Sequence, residues 1–152
     1  MEKYSCYEEI SPNRFQRKNE KGQYIIMALL LWAIGGWLFG KASISGYVSA
    51  GFALIAGFLF IARMFSQVVI DLNDQTILAK AGLFSAPQKV DIATIESFAI
   101  SNRIYVLLLI SSGFAIVHKA NKQQRILMGQ YLMTKNKTEQ LLLETEKILA
   151  GQ

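Results

Sequence analysis

From Tyr24 to Gly40 the chain reads YIIMALLLWAIGGWLFG, and from Gly46 to Ala62 it reads GYVSAGFALIAGFLFIA, with no acidic or basic residue inside either run. Each run is about 17 residues, roughly 26 Å as an α-helix, near the lower limit for crossing a hydrocarbon core of about 30 Å. Helices apolar on all sides need cover on all sides, and the rest of a 152-residue chain is too small to supply it. The expectation is therefore two membrane spans rather than two core helices. Lys41 to Ser45 joins them, a connection short enough to force an antiparallel hairpin whose ends emerge on one side.

Small residues recur at four-residue spacing, Gly36 and Gly40 in the first run and Ser49, Ala53 and Gly57 in the second. That spacing marks a candidate helix-packing face, where backbones approach closely in lipid. Whether such faces meet within one hairpin or between copies, giving a homo-oligomer, is open at this stage. The alternative is that glycine is simply frequent in membrane helices.

Basic residues set the expected orientation. Arg17, Lys18 and Lys21 precede the first run and Arg63 follows the second, against the lone Lys41 at the hairpin tip. Basic residues near the spans resist translocation, so both termini are expected in the cytoplasm. A cleaved leader is not expected, because Glu2, Glu8, Glu9 and Glu20 precede the first run and a second run follows directly.

The net charge of +5 is modest and dispersed, which gives no indication of nucleic acid. Cys6 is the single cysteine, so no intramolecular disulfide forms. The chain divides into a tail over residues 1–23, the hairpin over 24–63 and one further domain over 64–152. Within the tail, Ser11-Pro12-Asn13 is a turn signal, and Tyr4 to Ile10 either packs on the C-terminal domain, lies at the membrane interface or stays loosely ordered.

After Arg63 the pattern turns to short alternating runs. Gln67–Leu72 and Gln75–Ala81 flank Asn73-Asp74 as a β-hairpin, and strands are expected at Lys89–Ile92, Ile95–Ser101, Ile104–Ile110, Phe114–Lys119 and Arg125–Met128. Turns are expected at Asn102-Arg103, Ser112-Gly113 and Ala120 to Gln123. Asn136 and Glu139 have capping-box spacing, Leu141, Leu142, Thr145, Ile148 and Leu149 form one helical face, and Gly151 stands where a helix stops. The fold class is α+β: a helical hairpin, then seven strands making a half-open barrel plugged by the final helix. Residues 64–152 are expected to fold as a soluble domain without the hairpin.

The segments VVIDLNDQTILAKAGLF (Val68–Phe84), KVDIATIESFAI (Lys89–Ile100) and the helix Lys137–Leu149 resemble bacterial membrane proteins that join a two-span hairpin to a pleckstrin-homology-like domain. The resemblance implies a bacterial inner-membrane protein with an anchoring or interaction role rather than an enzymatic one. It does not extend to inositol-lipid binding, because the first hairpin turn, Leu72-Asn73-Asp74-Gln75, is acidic.

No catalytic, cofactor or metal set is expected. His118 is the single histidine, and zinc has no ligand set without a second histidine or a cysteine pair. Asp71, Asp74, Asp91 and Glu96 flank turns, where short acids satisfy local backbone donors. A basic group, Lys119, Lys122, Arg125, Lys135 and Lys137, is the candidate patch for anionic lipid or an acidic partner. The expected role is a membrane-tethered, non-enzymatic interaction module with the bilayer and an unidentified protein as partners. The alternatives are an anionic-lipid-sensing domain and a small membrane immunity protein against a membrane-active toxin.

Overall fold

A computed structural model describes residues 4–105, 108–119, 122–132 and 134–151, with residues 105, 108 and 119 described by backbone alone. The elements run β1 (Tyr7–Ser11), β2 (Arg14–Arg17), α1 (Lys21–Phe39), α2 (Ile44–Arg63), β3 (Gln67–Asp71), β4 (Thr76–Lys80), β5 (Gln88–Asp91), a 3-10 turn (Ile92–Thr94), β6 (Ile95–Tyr105), β7 (Leu108–Lys119), β8 (Lys122–Leu132) and α3 (Asn136–Leu149). The chain is α+β, and its strands form two antiparallel sheets, β1-β2-β3-β4-β5 and β6-β7-β8, not a closed barrel. Two compact units result: residues 1–18, 67–80 and 86–152 make a β unit, and 19–66 with 81–85 make a helical unit.

The tail is not loose. Pro12 and Asn13 turn β1 into β2, with Asn13 at φ 63°, a left-handed conformation that asparagine tolerates after a proline that pre-sets the turn. β2 then pairs with β3, Phe15 opposite Ile70. The Asn73 side chain donates from Nδ2 to the Pro12 carbonyl at 3.1 Å, and the Leu72 backbone amide to the Asn13 carbonyl at 3.0 Å. Thus the β1–β2 and β3–β4 turns are stitched together. In chain order the helical excursion stands between two neighbouring antiparallel strands.

Alternation places Val68 and Ile70 of β3, Ile77 and Ala79 of β4, and Ala115 and Val117 of β7 in one core, with Tyr7, Phe15, Leu141, Leu142 and Ile148. Two expected turns are instead strand. Asn102 and Arg103 pair with Ser111 and Ile110 inside the long β6–β7 ladder, and Ser112-Gly113 runs within β7. Glycine stands at 113 because α3 crosses there: a Cβ would lie 3.1 Å from Leu142 and 3.4 Å from Thr138. The expected strand Ile104–Ile110 is divided between β6 and β7, with residues 106 and 107 outside those described; of the expected turn Ala120 to Gln123, residues 120 and 121 also lie outside them.

β8 contains a bulge, Gly113 pairing with Gly129 and Phe114 with Leu127. The extra residue shifts the alternation, so that Ile126 and Met128, at even positions, and Tyr131, at an odd one, all reach the same core. At α3 the expected cap is displaced. Lys135, with helical backbone and no side-chain capping bond, holds the N-cap position, and Asn136 is already helical. The Lys135 carbonyl receives the amides of Thr138 and Glu139, while its ammonium reaches Glu139 at 3.2 Å. Gly151, at φ 73°, ends the helix as read from sequence.

Along α1 and α2, the buried residues are Tyr24, Ala28 and Gly35 of α1 and Gly46, Ala50 and Gly57 of α2. Both sets step by four and then seven residues, the spacing of a packed antiparallel seam. A Cβ on Gly35 would lie 3.4 Å from that of Ala53, and one on Gly57 would overlap the Trp32 indole, whose Nε1 donates to the Leu54 carbonyl at 3.3 Å.

Candidate functional site

Three regions carry side chains with binding chemistry. The first is a polar chain through the β unit. Glu144 of α3, almost fully buried, accepts from the amides of Ser5 at 3.0 Å and Cys6 at 2.8 Å and from the Gln140 side chain at 3.2 Å. Next along α3, the Thr145 hydroxyl donates its one proton to the Leu141 carbonyl at 2.7 Å, leaving its lone pairs for the Tyr7 hydroxyl, also at 2.7 Å. Tyr7 is therefore the donor and must stay protonated. Burial pushes its phenol well above the ordinary range, partly offset by the Thr145 bond and by Arg17. Arg17, buried on β2, donates from Nη1 to the Met128 carbonyl at 2.9 Å. Four of these bonds, those of Ser5, Cys6, Tyr7 and Arg17, join the N-terminal segment to β8 or α3, so the network holds the unit together.

The second region is a groove of about 420 Å³ lined by Gln88, Lys89, Val90, Asp91, Thr94, Val117, Gln124 and Ile126. Among the described residues, β5 is the last strand of its sheet and pairs only with β4, while β8 is the last of the other. Backbone donors and acceptors on the outer side of a terminal strand have no ladder partner, which is the requirement for adding an extended segment. Val117 and Ile126 are buried and give the groove an apolar floor; Gln88, Lys89 and Asp91 are exposed on its rim. Sequence reasoning missed this groove, because it is made by residues about thirty apart on strands of different sheets.

The predicted basic group is divided, with Lys119 and Lys122 paired in register at one end of the β7–β8 ladder. Lys122 and Arg125 are exposed at the start of β8, whereas Lys135 and Lys137 lie beyond its far end at the start of α3. Ten residue steps of strand separate Lys122 from Leu132, about 30 Å. Lys135 is engaged with Glu139, and the Lys119 side chain lies outside the described residues. The acids fall to local work. Asp71 accepts from the amides of Asn73 and Asp74, Asp91 from that of Ala93, and His118 pairs with Glu96 at 2.9 Å on the surface. Among the described residues no group of three or more His, Cys, Asp or Glu is placed to hold a metal.

The third region is the outside of the helical pair. Of the five small residues expected to form a packing face, Ala53 and Gly57 lie in the seam. Gly36 has nothing within 4 Å of a Cβ position, Gly40 meets only backbone of its own turn, and Ser49 is exposed. The contact line alternates steps of four and three, so strict four-residue spacing drifts off it. The seam residues that spacing overlooked are Gly35, Gly46 and Ala50. Both helices are long and apolar enough to cross a membrane, and only 17% and 22% of their apolar windows are buried. No family model matches the chain, and no curated protein or solved structure matches it significantly.

Proposed function

We propose that the protein is a membrane-anchored, non-enzymatic interaction module. In this reading α1 and α2 cross the bilayer and the β unit takes an extended segment of a partner protein along the outer edge of β5. The anchoring half is supported by Ile26, Leu29, Trp37, Phe52 and Phe58, exposed on helices whose seam is already closed by small residues. A core helix of a water-soluble protein would bury those side chains. The observation that carries the binding half is the groove beside a terminal strand, apolar at its floor and polar at its rim.

The setting we assign is the inner membrane of a bacterium with both termini in the cytoplasm. Arg17 is taken up in the β core, so Lys18, Lys21 and Arg63 carry that orientation against Lys41. The order β2–β5, β6–β8 and α3 supports a pleckstrin-homology-like assignment, with β1 added at the edge and the helical pair inserted after the first strand of that set. Of the rival roles, lipid sensing loses its site because the basic residues are split between the two ends of β8. The immunity reading loses half of its packing face to the intramolecular seam.

A photo-crosslinking residue at Lys89 in native membranes tests the binding half. It should give a discrete protein adduct that the same residue at Leu143, exposed on α3, does not give, and filling the groove with Gln124→Trp should remove it. Equal adducts at both positions, or lipid adducts alone, would overturn the assignment. Reporter fusions at Gln152 and Ser43 test orientation, and an outward-facing C-terminal reporter would invert it.

A further inference from the structure

The loop Ala81–Ser85 belongs to the helical unit although it joins two strands of the sheet. Its attachment is specific. The last carbonyls of an α-helix have no partner within the helix, and here the Leu83 amide, nineteen positions downstream of Met64, donates to the Ala62 carbonyl at 2.9 Å. Gly82 permits the approach, since a Cβ would lie 3.1 Å from that same oxygen. The Ser85 amide then returns to the Gly82 carbonyl at 3.3 Å, closing a turn with Leu83 and Phe84 at its two central positions. Phe84 is 87% exposed and Leu83 45% exposed, and Phe65, just past the end of α2, is also exposed.

Two large apolar side chains at the tip of a tight turn are costly to hold in water. Nothing in the helical unit covers them, yet the loop is fixed to the final turn of α2. Its height along the helix is thereby set. That end also carries the exposed Arg63, and the antiparallel partner begins with the exposed Lys21, cations suited to anionic headgroups.

We infer that Leu83 and Phe84 form a wedge that inserts into the headgroup–acyl boundary of the leaflet where α2 ends. The occupant of this surface is lipid: a loop capped onto the end of a span lies at the interface by construction, and Phe and Leu are among the apolar residues that interfacial segments bury at the headgroup–acyl boundary. The wedge rests on the membrane reading of α1 and α2. It adds a third attachment point, supplied by a loop of the β sheet, to the two spans.

The test uses the full chain with Cys6→Ala and Phe84→Cys, the new cysteine carrying an environment-sensitive nitrobenzoxadiazole label. The protein is reconstituted in vesicles of phosphatidylcholine and phosphatidylglycerol brominated on the acyl chains. Trp32 and Trp37 report the hairpin in the same sample. Insertion predicts blue-shifted label emission, quenched more by bromine near the headgroup than by bromine deep in the chain, alongside quenched tryptophans. Quenched tryptophans with a label emitting as in water would overturn the wedge and leave the spans standing, whereas tryptophans and label both unquenched would overturn both. Labelling at Leu83→Cys gives a second, independent readout, expected to behave in the same way.

Discussion

The two units solve the same packing problem in opposite ways. In the β unit the large side chains Tyr7, Ile70, Met128 and Leu141 are inside, and Arg17, Glu144 and Thr145, buried with them, are hydrogen-bonded. Along the two helices of the helical unit the buried residues are, apart from Tyr24, small ones, Ala28, Gly35, Gly46, Ala50 and Gly57, while many large side chains are exposed. Water drives the first arrangement, because removing apolar surface from it is favourable. If α1 and α2 lie in lipid, as proposed, the second has no such force between the helices and relies on close backbone approach. Under that proposal, comparable apolar residues report different solvents according to which way they face.

The largest effect should come from removing the N-terminal strands. Tyr7, Phe15 and the backbone partners of Glu144 lie before residue 18, so the fragment 64–152 should show no cooperative thermal transition by circular dichroism. Residues 1–18 joined to 67–152 through a short glycine-serine linker should restore one, since β2 and β3 are adjacent. Cooperative melting of 64–152 alone would show that the network is dispensable.

Tyr7→Ala is next, expected to cost about 3–5 kcal/mol in chemical denaturation of the β unit, from the cavity left by a fully buried ring. In the helical unit the matched lesion is Gly57→Leu, which drives a side chain into Trp32 and should loosen the hairpin by about 1–3 kcal/mol. Gly36→Leu, with open space around it, should do nothing. Fluorescence resonance transfer between the helix ends in nanodiscs compares the two, and equal effects would refute the seam.

Tyr7→Phe should cost about 1 kcal/mol by removing the bond to Thr145. It should also change the pH profile. The folded-state phenol titrates above its unfolded value of about 10, so its stabilisation is complete below that value and is lost as pH rises beyond it. Denaturation midpoints of the wild-type β unit should therefore fall above about pH 10 more steeply than those of Tyr7→Phe; parallel curves would remove the assignment of Tyr7 as donor. The smallest effect is expected at Thr138, whose buried Oγ1, like the Oγ of Ser111, has no hydrogen-bond partner among the described residues. Thr138→Val keeps the shape and should leave stability unchanged or slightly raised, as read from the same denaturation curves.

Much of this was legible along the chain. The apolar runs, the β3–β4 hairpin with its Asp71 turn, and the amphipathic α3 ending at Gly151 all depend on residues near one another in sequence, where periodicity and turn chemistry act. β1 was not legible, because an edge strand burying only Tyr7 has almost no alternation to read. β2 places Arg17 at an inward position, which reads as a charged surface until Met128 is seen to accept its proton. Ser112-Gly113 carries a turn signal, yet the glycine answers to a helix that arrives twenty-five residues later at Thr138. Sequence by itself determined what each segment prefers and which solvent its surface tolerates, since those depend on side-chain chemistry and local spacing. Which strand lies beside which, which glycines are seam and which are open, and the groove between β5 and β8 were decided only by tertiary structure, because they are set by registers and close approaches between residues that no local pattern relates.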